Sequence, residues 1–283
     1  MMVDNWTTYL KARLNCSTNG DYPFYFDELQ SALYIPEENL IYGIFSTSIN
    51  SIAGSAICSF DLSAVERAFS GPFKYQEHIN SSWDKHYSQN QEHFQCKGSI
   101  HSKNTIESSK YQLMDSAVQA TALKPLHVAE LERYIHLTID ILSTKLHKSV
   151  HMLYVATIQG LIKKISILPS TQETCVIEIW QAVSDTNIAI KNIQFLKATN
   201  SLYIGTEIEL IRLPVEHCDR HVSRKSCLNA MDPYCGWNVY NYTCSTAPQY
   251  DPLVKYWIQN VSSCPIVDAY RDGGKLFLSI NVF

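Results

Sequence analysis

An internal repeat constrains this chain more than any other feature. "LYVATIQGLIKKISI" begins at Leu153 and "LYIGTEIELIRLPV" begins at Leu202, 49 residues later. In that alignment Leu153/Leu202, Tyr154/Tyr203, Thr157/Thr206, Leu161/Leu210 and Ile162/Ile211 coincide. Each copy reads as two short apolar strands around a tight turn, with Ile158-Gln159-Gly160 at the first bend. A further strand-like run precedes each copy, "YIHLTIDIL" at 134–142 and "IAIKNIQFL" at 188–196. A looser relative spans 40–62, with a longer loop between its strands. A period near 50 built from short strands is what a β-propeller blade demands, each blade being a small four-stranded sheet. Residues 1–215 at that period amount to about four blades, either a small closed ring or the rear part of a larger one.

Helix signals are few. In "DLSAVERAFSGPF" Ser63 and Glu66 have the spacing of a capping box, and Gly71-Pro72 would stop the helix. The polar segment from Asn80 to Lys110 lacks periodicity and reads as a long surface excursion. Apolar residues make up 46% of the 283, enough for a sizeable core. Net charge is -4, so no overall field invites nucleic acid or an anionic membrane. The basic pairs Lys163-Lys164 and Arg224-Lys225 stand alone and are expected at solvated strand ends or turns. No apolar run approaches the ~18 residues of a membrane span.

Nine cysteines and five N-x-[ST] acceptors, Asn5, Asn15, Asn80, Asn241 and Asn260, together point to an oxidising compartment. The start "MMVDNWTTYLKARLNC" has no apolar signal core, so the expectation is a chain whose N-terminal part is missing from the sequence.

Cys218, Cys227, Cys235, Cys244 and Cys264 are separated by 8, 7, 8 and 19 residues. Zinc sites favour C-x₂₋₄-C knuckles, and none exists here, nor does a C-x-x-C for thiol exchange. The spacing allows two interleaved disulfide loops of equal size, Cys218–Cys235 and Cys227–Cys244. Each would contribute roughly 3 kcal/mol in the chain-entropy account, and a segment of this size needs such staples.

"CDRHVSRKSCLNAMDPYCGWNVYNYTC" resembles a PSI module, the small cysteine knot named for plexins, semaphorins and integrins. "NWTTYLKARLNC", "FDELQSALYIP", "LIYGIFSTSINSIAGSAIC" and "FSGPFKYQEH" resemble the later half of a semaphorin sema domain. Trp257, Ser263, Cys264 and Pro265 echo class 5 members. The resemblance implies a mainly β chain holding the last four or so blades of a seven-bladed sema propeller. Its expected divisions are a partial propeller at 1–215, a PSI domain at 216–265 and an unassigned tail at 266–283. It further implies a Cys16–Cys58 bridge, and a Cys96 whose partner lies upstream of this sequence; Cys175 and Cys264 receive no partner from it. Tyr234 and Trp237 are expected to pack around the knot sulfurs, with Asp232-Pro233 making the turn between them.

The function so implied is an extracellular guidance ligand, a chemorepellent of axon guidance and cell migration. It would bind a plexin-family receptor and be a homodimer at full length, with no cofactor, nucleic acid or small-molecule substrate. A plexin- or Met-type receptor fragment, and a truncated isoform without signalling ability, are the alternatives. An enzyme would have to use His136 with Asp140, or His78, His86 and His93, and no G-x-S-x-G, H-E-x-x-H or phosphate loop accompanies them. His136 is expected at a solvent-facing strand position.

Overall fold

The computed structural model describes residues 10–85, 109–185 and 187–265, with the backbone of 267–272 and 275–280. Strands β1 (Glu28–Ile35), β2 (Leu40–Ser46) and β3 (Gly54–Asp61) run consecutively, and β3 leads directly into helix α1 (Leu62–Phe69). After the long excursion β4 (His127–Glu130) returns to pair with β3, completing an antiparallel blade in the order β4-β3-β2-β1. The second blade is a meander of β5 (Tyr134–Leu142), β6 (Val150–Thr157), β7 (Leu161–Ile167) and β8 (Thr174–Gln181). The third holds β9 (Ile190–Leu196), β10 (Ser201–Thr206) and β11 (Leu210–Pro214). Short pairs such as Leu14–Asn15 with Val118–Gln119 precede the first blade in space. This is the partial propeller expected from the repeat.

The blades stack face to face, so their strands are apolar on both sides. All eight residues of β6 are buried. Met152, Tyr154 and Ala156 face the third blade, while Leu153 and Val155 face the first. Such a strand reads as a continuous apolar run, with no in–out alternation. The turn after β6 needs Gly160: its φ is +79°, and a Cβ there would overlap the Val183 carbonyl oxygen.

Burial of both faces also corrects the expectation for Lys163 and Lys164. They lie within β7, both buried, and point to opposite faces. Lys163 is ion-paired with Glu132 on the first-blade side, and Lys164 reaches Asp232 on the other. Arg224-Lys225 is exposed, as expected. At α1 the cap is Asp61, whose Oδ1 accepts from Ser63 N at 2.8 Å. The Ser63 hydroxyl, already at the second helical position, accepts from Arg67 instead of forming the capping box. The helix ends before Gly71-Pro72, as expected.

His127 sits half-buried at the seam of the first two blades. Its Nδ1 lies 3.0 Å from Thr174 Oγ1, its Nε2 lies 3.2 Å from the Tyr134 hydroxyl, and its ring stacks on Tyr134. Burial and the Lys163 ammonium lower its pKa to about 4, with Glu132 opposing them. The folded state therefore keeps His127 neutral where an unfolded chain, titrating near 6.5, takes up a proton. Its contribution is intact above pH 6.5 and is lost as pH falls from there toward 4, on the order of 3 kcal/mol in all. His127→Gln should flatten the pH dependence of the denaturant midpoint across that window; an unchanged slope would refute the buried neutral imidazole.

Candidate functional site

A small disulfide-stapled knob follows β11. It contains α2 (Arg224–Asn229) and a three-stranded sheet of β12 (Gly236–Asn238), β13 (Thr243–Ser245) and β14 (Trp257–Ile258), in the order β13-β12-β14. The bridges Cys218–Cys235 and Cys227–Cys244 interlock it, and Cys16–Cys58 ties the N-terminal strands to β3. The fourth bridge has no forewarning in the spacing: Cys264 pairs with Cys175 on β8, Cα atoms 5.0 Å apart and 89 residues apart in sequence. The knob is thereby bonded covalently to the second blade. Cys96 lies outside the described residues. Beyond the knob, Val267–Asp272 and Lys275–Ile280 pair as an antiparallel hairpin in the tail left unassigned above.

Asp232-Pro233 makes the expected turn, with Tyr234 N donating to Asp232 Oδ1 at 3.0 Å and Cys235 N to Asp232 O. Trp237 packs with the sulfurs, and Trp257, fully buried, lies across Gly236. Any Cβ at Gly236 would overlap the Trp257 ring and the Ile258 carbonyl oxygen. Tyr234 shares this cluster, but its hydroxyl turns toward the blades. It donates to Asp140 Oδ2 at 2.5 Å and accepts from the Tyr154 hydroxyl at 2.8 Å. Lys197 closes the other side of Asp140 at 2.8 and 3.0 Å.

Beside this group lies the fully buried Lys164 ammonium, 2.6 Å from Asp232 Oδ2 and 2.9 Å from Val215 O. Lys145 reaches across at the margin, donating to Val254 O and Trp257 O at 2.7 and 2.6 Å. Burial pushes the Tyr154 and Tyr234 hydroxyls well above the usual phenol range, and desolvation raises the Glu216 carboxyl. A cavity of about 500 Å³ opens at this junction among Lys197, Glu216, Tyr234, Tyr250 and Trp257. Every buried charge here has a partner from the other unit, so the junction is specified by chemistry as well as by shape.

At the opposite end the blades present a rim of aliphatic side chains. The 47–53 hairpin joins β2 to β3, and Glu130, opposite Gly54, brings the 131–133 loop beside it. Tyr134 pairs with Thr157, so the 158–160 turn lies at the same end. His136, Thr138 and Asp140 meet Ile190, Phe195 and Lys197 in turn, so β5 and β9 are parallel and the 207–209 turn joins the same rim. Ile49, Ile52, Leu131, Ile158, Ile208 and Leu210 are all exposed there, Ile52 at 81%. The loops hold one another: Arg133 donates to Thr47 O, Ser48 O and Ser51 O, and its own carbonyl accepts from Ile158 N. Sequence reasoning missed this rim; apolar residues among turn formers in "STSINSIAG" were the available signal.

Among the described residues, the histidine candidates are not gathered. His136 is half-buried with Nε2 3.2 Å from Ile190 O, correcting its expected solvent-facing place, because the third blade covers that face of β5. Asp140 is taken by Lys197 and Tyr234, and His78 is exposed on a turn. His86 and His93 lie outside the described residues, as does Asn5. Among the other sequons Asn80 and Asn241 are exposed, and Asn260 is half-buried beside Ser262. Asn15 departs from the exposed position a used acceptor needs: it is half-buried, and its Nδ2 donates to Gln119 at 2.7 Å, because the parallel pairing of its strand brings the two side chains together.

Residues 27–197 match the Sema domain family model, and residues 217–265 match the PSI model, described as a plexin repeat. Semaphorin 5c of Drosophila melanogaster is 44% identical over 97% of this chain and 25% of its own length. Human Semaphorin-5A is 37% identical over 96% of this chain and 26% of its own. The chain thus spans about a quarter of these relatives. Among solved structures, the extracellular domains 1-2 of Drosophila Semaphorin 1b superpose with TM-score 0.78 at 28% identity, over 92% of this chain and 55% of that one. The complex of Drosophila Plexin A with Semaphorin 1b gives 0.77 at 28% identity, over 92% and 55%. Blades, knob and sequence agree: similar to class 5 semaphorins along nearly its whole length, the chain belongs to the Sema domain family and carries blades of its propeller with the PSI domain that follows them.

Proposed function

We propose that this chain is part of an extracellular semaphorin guidance ligand that binds a plexin-family receptor through its apolar rim, with no chemistry performed on a substrate. The observation that carries the reading is the rim itself. Exposed aliphatics on hydrogen-bonded loops offer desolvation energy with little ordering cost, as binding hot spots do. Its position at the end away from the PSI domain leaves it open to a partner. The likeness to Semaphorin 1b, solved with Plexin A, supports the choice of partner class. In a dimeric full-length protein two rims would bring two receptors together, and avidity would convert modest contacts into a signal.

Ile49→Asp with Ile52→Asp, made in the full-length protein, should weaken binding to cells displaying a plexin ectodomain at least about tenfold, a loss of roughly 1.4 kcal/mol. Both side chains are solvated, so the unfolding midpoint should not move. Saturable binding with undiminished affinity would place the receptor contact elsewhere; no saturable binding by the unmodified protein to any family member would end the reading.

A further inference from the structure

The PSI domain carries a second apolar surface, and its centre holds a glycosylation acceptor. The β12–β13 turn, Val239–Tyr242, presents Tyr240 at 73% and Tyr242 at 75% exposure on either side of Asn241. The turn is well defined. Asn238 Oδ1 accepts from Tyr240 N at 3.0 Å and Asn241 N at 3.2 Å, Val239 N donates to Tyr256 O, and Tyr242 has φ 52°. The Tyr240 ring is backed by Tyr256, ring centroids 4.8 Å apart, so one face is fixed and the other is free. Asn241-Tyr242-Thr243 is a sequon, and all three residues are exposed. The Asn241 carboxamide makes no hydrogen bond to a described residue, whereas the Asn15 carboxamide is tied to Gln119.

Two rings flanking an attachment point have one natural occupant, the group attached there. The C–H face of a pyranose carries slight positive charge, and an aromatic face is negative, so a sugar packs on tyrosine while its hydroxyls stay in water. We infer that Asn241 bears an N-linked glycan whose first N-acetylglucosamine rests against Tyr240 and Tyr242, covering these two exposed rings. The linkage is an amide-nitrogen glycosidic bond formed in the secretory pathway, where oligosaccharyltransferase transfers the glycan from a lipid pyrophosphate donor and the leaving pyrophosphate carries away the charge. The Asn241 Nδ2–C1 bond forms as the C1–oxygen bond to the pyrophosphate breaks, and the amide proton is released to solvent. This site is independent of the rim and of its receptor.

The test uses the full chain behind a secretion leader in a eukaryotic host, with occupancy read by peptide mass spectrometry. Endoglycosidase trimming then leaves one N-acetylglucosamine for proton NMR. Asn241 should be occupied, and the N-acetyl methyl resonance of its sugar should be shifted upfield by the ring current. Tyr240→Ala with Tyr242→Ala preserves the sequon and both turn hydrogen bonds to Asn238; it should return that resonance to its solvent position with the fold unchanged by circular dichroism. An unoccupied Asn241, or a methyl resonance at the solvent position with both tyrosines intact, overturns the inference.

Discussion

Lys164→Met should destabilise the protein by about 3–5 kcal/mol, read from the denaturant midpoint at neutral pH. The methionine fills the same volume, so the loss is electrostatic. Asp232 would remain fully enclosed with its ammonium partner gone, and the Val215 carbonyl would lose its donor. Removing the charge as well tests this account. Lys164→Met with Asp232→Asn keeps an acceptor for Tyr234 N and should be closer to the unmodified protein than the single variant. A single variant that loses less than about 1 kcal/mol would mean that the two groups are solvated.

The second large effect belongs to Trp257. Its ring covers Gly236 and its Nε1 donates to Ser245 O at 3.1 Å, so Trp257→Ala removes the largest fully buried side chain of the knob. A loss of about 3–5 kcal/mol is expected. Gly236→Ala should also be costly, because the new methyl would need space that the indole occupies. In the Trp257→Ala background the overlap with the ring is gone while the one with the Ile258 carbonyl remains, so the same change should cost clearly less than it does beside the intact indole. A double-mutant cycle showing simple additivity would mean that the two residues do not touch.

The blades were legible because repetition and strand chemistry agree. Leu153 and Leu202 occupy equivalent strands, and the Gly160 bend falls where the turn forms. The interlocked knob was legible because its spacing allows two interleaved loops of equal size and its motif resembles a PSI module. Charged residues were less so. A lysine pair normally marks solvent, and only a strand buried on both faces can give Lys163 and Lys164 opposite acidic partners. The Cys175–Cys264 bridge was hidden for a different reason: its cysteines meet through tertiary packing, and separation along the chain carries no trace of that. Asn15 shows the limit of a motif, since a sequon says nothing about whether its carboxamide is already bonded.

The Cys175–Cys264 bridge has a mechanical consequence. Tension applied between the N-terminal blades and the segment beyond Pro265 runs along the chain to Cys175, crosses the sulfurs and leaves at Cys264. Residues 176–263 hang from that shunt as a slack loop. The third blade and nearly all of the PSI domain are thus spared the pull, which falls on the second blade.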